Sequence, residues 1–147
     1  MAETAARIGY GAKFELSTDG GTTFEELAEV YDITPPSDSV DVIDATHMQS
    51  PDATREFILG LRDPGECSME MNFIPGNDAD TTLQAVRSAR ERITCRITFP
   101  TQGTEVAVTW TFSAILTGYE PAMPNEDKMT ATVTFKVTGS YVAGVAA

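Results

Sequence analysis

Val106-Ala107-Val108-Thr109-Trp110-Thr111-Phe112-Ser113-Ala114-Ile115-Leu116 is the stretch that decides the fold. Val106, Val108, Trp110, Phe112, Ala114 and Leu116 fall on one side of an extended chain, with Ala107, Thr109, Thr111, Ser113 and Ile115 on the other. A period of two predicts a half-buried β-strand, and threonine suits the solvated side of a pleated surface. The same alternation recurs three times. Glu66–Phe73 sets Cys67, Met69, Met71 and Phe73 against Glu66, Ser68, Glu70 and Asn72. Ile93–Phe99 sets Ile93, Cys95, Ile97 and Phe99 against Thr94, Arg96 and Thr98. Met129–Val137 sets Met129, Ala131, Val133, Phe135 and Val137 against three threonines and Lys136.

Shorter strands are expected at Lys13–Ser17, Leu27–Ile33 and Arg55–Leu59. The turn-forming run Thr18-Asp19-Gly20-Gly21-Thr22-Thr23 separates the first two. One segment has helical spacing: Leu83, Val86, Ala89 or Arg90, and Ile93 recur at three and four residues, with Asp78 or Asp80 as the cap. Together these predict an all-β, antiparallel sandwich or barrel of about seven strands with one flanking α-helix. Trp110, Phe112, Met71, Phe73, Val133 and Phe135 are expected to form the core between two sheets. One domain accounts for all 147 residues, a size that buries roughly 70% of its unfolded surface. The awkward segment is Thr34–Thr54, which holds Pro35, Pro36 and Pro51 and no clear element. Its apolar Val40, Val42, Ile43 and Met48 predict a loop that becomes ordered against another molecule.

Twenty-two Asp and Glu against ten Lys and Arg give a net charge of −12. Such a balance argues against gripping nucleic-acid phosphates or an anionic membrane, which takes clustered cations. The first sixty residues carry twelve acids and three bases, the remainder ten and seven. Three of the ten bases, Arg87, Arg90 and Arg92, crowd the end of the expected helix, where they complement its dipole and offer a basic patch to an acidic partner. The N-terminus shows no basic and apolar leader pattern, and no apolar run approaches the roughly 20 residues of a membrane span. A cytoplasmic site of synthesis is the expectation.

Catalytic chemistry is sparse. His47 is the sole imidazole, with Asp44 three residues before it, but no serine or cysteine occupies a nucleophile elbow. Cys67 and Cys95 fall on the apolar side of their strands and read as core residues, with a disulfide between adjacent strands disfavoured in a reducing compartment. One His and two Cys make no zinc quartet, and Asp38-x-x-Asp41-x-x-Asp44 lacks the central Gly and closing Glu of an EF-hand. No phosphate-binding glycine loop precedes the helix. The reading is a non-enzyme with no cofactor and no metal. A secreted carbohydrate-binding β-sandwich module is the rival, but it calls for exposed aromatics, and Trp110, Phe112 and Phe135 lie on the buried side.

The order of the pieces resembles a known family. Gly21-Thr22-Thr23-Phe24 leads through Leu27-Ala28-Glu29-Val30 to Asp32-Ile33-Thr34. Val42-Ile43-Asp44-Ala45-Thr46-His47, Ser50-Pro51-Asp52, Arg55-Glu56-Phe57-Ile58 and Gly60-Leu61-Arg62-Asp63 follow. Asn72-Phe73, Trp110-Thr111-Phe112-Ser113-Ala114 and Asp127-Lys128-Met129-Thr130-Ala131 complete the series. From about Phe14 to Gly139 this is similar to the major tail tube proteins of long-tailed bacteriophages and of gene transfer agents. The resemblance implies a virion protein whose hexameric rings stack into a hollow tail tube, through which DNA is ejected without specific binding. It implies tape-measure, terminator and baseplate partners, no membrane, and a stacking loop at 34–54 in which Val40, Val42, Ile43, Asp44, His47 and Met48 make inter-ring or inter-subunit contacts. Another tail ring protein, a terminator or baseplate subunit, is the nearby alternative. A DNA conduit should repel phosphate. The face expected to line it carries Glu66, Ser68, Glu70 and Asn72, flanked by Glu56 and Asp63.

Overall fold

A computed structural model describes residues 8–101 and 106–145. The strands are β1 (Lys13–Ser17), β2 (Glu25–Glu26), β3 (Val30–Thr34), β4 (Ser39–Asp44), β5 (Phe57–Asp63) and β6 (Glu66–Asn72), then β7 (Ile93–Thr98), β8 (Val108–Ala122) and β9 (Thr130–Val145). The helix α1 (Asp78–Ala89) lies between β6 and β7, and a short 3-10 turn covers Pro51–Ala53. Seven strands form one antiparallel sheet in the order β2-β1-β7-β8-β9-β6-β3, while β4 and β5 pair only with each other.

The expectation of two facing sheets is corrected: the core lies inside a single sheet that curls back on itself. Phe14 of β1 stacks on Phe135 of β9, ring centroids 5.5 Å apart. Those strands are three places apart in the sheet, which in a flat sheet separates them by about 14 Å. The edges also nearly meet, because only Leu27, Ala28 and Glu29 join edge strand β2 to the opposite edge strand β3. Four extended residue steps reach no further than about 14 Å. Leu27 is buried in this crossing, and Glu29 takes a left-handed φ of 68° to redirect the chain. Of the strand expected at Leu27–Ile33, Val30–Ile33 lies in β3, whereas Leu27–Glu29 is the turn between two edges.

The inward residues match the alternation of β1, β6, β7 and β9: Phe14, Leu16, Cys67, Met69, Met71, Ile93, Cys95, Ile97, Ala131, Val133, Phe135 and Val137 are all buried. Phe112 and Ala114 join them from β8, and Phe73 packs against the cluster half-buried. Trp110 points the same way but at the open end of the curl. There it stacks on Tyr141 at 4.9 Å and meets the edge of Phe99 at 5.1 Å, outside the buried cluster. Cys67 and Cys95 are free thiols on strands that are not neighbours in the sheet, and burial pushes the Cys67 pKa up to about 12.

Asn77, rather than Asp78 or Asp80, caps α1, its side chain accepting from the Asp80 N–H at 2.9 Å. Asp80 turns outward from the helix start and accepts from the Tyr119 hydroxyl of β8 at 2.7 Å. Ala79, Leu83 and Val86 bury one side of the helix in the core. Arg90 ends it in a left-handed conformation, so Ile93, expected as the last helical contact, instead opens β7.

Candidate assembly interface

The segment 34–54 is not a structureless loop. Its second half of the story lies downstream: β4 and β5 form a hairpin spanning Ser39–Asp63 that stands apart from the main sheet. Its base is fastened. Arg62 pairs with Asp38 at 3.5 Å, and Asp63 takes Lys136 of β9 at 3.0 Å and the Gly65 N–H at 2.9 Å. These donors hold the Asp63 carboxyl below the usual carboxylate range, the Gly65 N–H contributing most. Gly65 has φ of 79°, and a Cβ there would collide with the Ser37 carbonyl, so only glycine fits where the hairpin leaves the sheet.

Its far end is equally organised. Asp44 accepts from the Thr46 N–H at 2.9 Å, and Thr46 Oγ1 accepts from the Glu56 N–H at 2.8 Å. Glu56 accepts from Ser50 Oγ at 2.8 Å and lies 3.3 Å from His47 Nε2. His47 Nδ1 accepts from the Gln49 N–H at 3.2 Å. His47 and Asp44 thus help shape a turn, and no hydrogen bond joins the two among the described residues.

Between base and tip the ribbon is apolar on both faces. The register sets Val42 opposite Leu59 and Ile43 opposite Ile58. Alternation then puts Val42, Phe57 and Leu59 on one face and Ile43 with Ile58 on the other, with Leu61 beyond the register shift. Leu61 is 88%, Leu59 74% and Val42 62% exposed, and Met48 at the tip is fully so. Val40 is the partly buried one of the six contact residues expected from sequence. All six, Val40, Val42, Ile43, Asp44, His47 and Met48, lie on this hairpin. Phe57, Ile58 and Leu59 were expected as part of a short strand at Arg55–Leu59, but neither they nor Leu61 were among the expected contact residues. Their signal was a consecutive apolar run, which marks a strand covered on both faces.

The outward face of the curled sheet is the second candidate surface. Glu66, Ser68, Glu70 and Asn72 of β6 lie opposite Lys136, Thr134, Thr132 and Thr130 of β9. Asp32 and Thr34 of β3 lie opposite Glu70 and Ser68. Asn72 donates to Glu29 at 2.8 Å. The Lys136 cation is held by Asp63, which sits beside this face. Glu56 does not: seven strand residues away, about 20 Å, it belongs to the hairpin tip. Arg87, Arg90 and Arg92 are exposed at the end of α1, Arg87 bonded to Gln84 at 3.3 Å.

A curled seven-stranded antiparallel sheet with one flanking helix and a projecting hairpin is the fold of tail tube subunits. The chain superposes on the tail of an empty gene transfer agent particle refined with C6 symmetry, TM-score 0.74 at 18% identity over 97% of this chain and 100% of that one. It is similar to the sheath/tube terminator of the PVC extracellular contractile injection system, TM-score 0.73 at 15% identity, covering 97% and 99%. The SPP1 tail tube matches with TM-score 0.65 at 10% identity, covering 92% and 77%. No curated protein matches the sequence. The sequence model of the lambda phage tail tube protein matches residues 11–144, and the chain belongs to that family. It is a structural protein of the tail of a virion.

Proposed function

We propose that six copies close into a ring and that rings stack into the tube through which DNA leaves the particle. The β4–β5 hairpin carries the contacts between copies. The observation behind this is a two-stranded ribbon with apolar side chains on both faces that the described residues leave exposed. Such a ribbon is marginal in water by itself. Covering Val42, Ile43, Phe57, Ile58, Leu59 and Leu61 contributes on the order of 5–10 kcal/mol, comparable with the cost of immobilising a subunit. One docked hairpin therefore roughly breaks even. A subunit that both gives and receives a hairpin gains twice and is immobilised once, so closed and stacked assemblies outlast pairs.

The Thr-rich, acid-flanked outer face of β3, β6 and β9 suits the bore, with Glu66 and Glu70 repelling phosphate. Tape-measure, terminator and baseplate proteins are the partners within and at the ends of such a tube. The fold likeness to a tube terminator favours one alternative, a single ring at the tube's end. Electron microscopy of the concentrated protein separates the readings: stacked tubes support the first, isolated rings the second. Leu59→Glu with Leu61→Glu should leave a folded subunit that does not assemble. Tubes formed by that variant would refute the hairpin's role.

A further inference from the structure

The hairpin accounts for the exposed apolar surface but not for the arginines at the end of α1. Of the nine described Lys and Arg, Arg62, Arg96 and Lys136 are paired with carboxylates, and Lys128 sits 4.2 Å above the Tyr31 ring. Lys13, Arg55, Arg87, Arg90 and Arg92 have no carboxylate partner among the described residues. Three of these five fall within six residues, at one corner of a protein whose net charge is −12. Like-charged copies repel, so the corner is where an acidic neighbour approaches most readily.

Arg90 adds a separate observation. It occupies a left-handed helix terminus, φ 55° and ψ 37°, a conformation that glycine adopts without strain. Its N–H satisfies Val86, a task any residue performs, and its side chain makes no described hydrogen bond. Local folding thus gives no reason for arginine there. The hairpin tip is the complementary surface. It carries Asp44, Asp52 and Glu56, of which Asp44 is engaged by Thr46 and Glu56 by Ser50 and His47. Asp52 stands at the apex, exposed, with no described partner for its carboxylate.

We infer that the hairpin tip of one copy, led by Asp52, docks on the Arg87–Arg90–Arg92 corner of a second copy; this rests on the tube reading above. Each copy has one tip and one corner, so the contact is head-to-tail and propagates. Apolar side chains along the ribbon supply the adhesion, and the ion pairs at its end set where it lands.

The test measures the critical concentration for assembly of the full chain by sedimentation, with electron microscopy of the pellet. Arg90→Glu and Asp52→Lys should each raise it about tenfold, one attraction lost and one repulsion added at an exposed pair. The chain bearing both changes restores opposite charges across every contact and should return close to the wild-type value. Arg90→Gly should raise the critical concentration about threefold while the melting temperature of the unassembled subunit holds or rises, since the backbone strain is relieved. Single reversals that leave assembly unchanged, or a double variant as weak as both singles combined, overturn this contact while leaving the tube intact. A wild-type chain that forms no tubes overturns the tube reading itself. Salt-sensitive retention of DNA that Arg90→Glu abolishes, with assembly unaffected, would make the corner a nucleic-acid site and overturn the proposal.

Discussion

Phe135→Ala tests the curl of the sheet more directly than any other single change. Phe135 is fully buried in the middle of β9, with Cys67 and Leu116 as its cross-strand neighbours and Phe14 stacked against it from across the fold. Emptying a buried aromatic site costs about 3–5 kcal/mol, the transfer of the ring plus the cavity left behind. About 0.5–1.5 kcal/mol of it belongs to the stacked pair. For a chain of this length the melting temperature should fall by about 6–20 °C. Thr134→Ala, one residue earlier and on the solvated face, should stay within about 0.5 kcal/mol. Urea unfolding followed by circular dichroism, on subunits diluted below assembly, reads both values. The contrast between neighbours is the point, because a register slip of one residue would exchange their roles. A Phe135→Ala loss below about 1 kcal/mol, or a Thr134→Ala loss as large as that of Phe135→Ala, would refute the curled-sheet core.

Three further outcomes follow from the same structure. Amides of β4 and β5 should exchange fast in the free subunit and slowly in the assembled tube, and equal protection in both would remove the hairpin from the interface. Asp19 accepts from Ser17 Oγ and from the Thr22 and Thr23 N–H groups, which hold its pKa down to about 2 from 3.8. Because the folded value is the lower one, its contribution is present above pH 3.8 and is lost as pH falls toward 2; Asp19→Asn should flatten that part of the stability profile, and an unchanged slope would contradict the loop geometry. Glu66→Lys with Glu70→Lys should permit tubes, since both side chains lie on the outer face, yet slow DNA ejection in a way that added salt reverses. Normal ejection at low salt would place that face away from the bore.

How much of this was legible in the chain depends on how regular each segment is. β1, β6 and β7 sit within a residue of the positions expected from alternation, because one face is buried throughout their length. β8 and β9 run well past Leu116 and Val137, and the reason is their irregularity. Register shifts between Leu116 and Gly118 and between Thr111 and Ser113 each interrupt the period of two. Gly139, with φ of 77°, sits in the longer bulge on β9. A reading that follows strict alternation stops at the first bulge, although the hydrogen-bonded ladder continues beyond it. The curl was illegible for another cause: Leu27 and Ala28 read as the start of the strand that holds Val30 and Ile33, and nothing in their neighbours reveals that Glu29 redirects the chain.

Sequence reasoning reached only one strand of the hairpin, expected at Arg55–Leu59, and missed its pairing with β4 for a reason that bears on its role. Alternation detects strands with one wet face, whereas Phe57-Ile58-Leu59-Gly60-Leu61 is apolar on both, and the register shifts where Gly60 and Leu61 stand opposite the single Asp41. Gly60 fits this geometry, since a Cβ there would press on Ile43 and on Asp41. A two-sided apolar ribbon has no stable place on the surface of a solitary subunit, so its pattern looks like noise when one chain is taken as the unit of folding. The fastened base and bonded tip show that the ribbon's shape is specified by the subunit. Its cover is specified elsewhere. In the assembly proposed above, the next copy supplies the cover, and the residues that violate burial in the monomer are those whose burial the tube would complete.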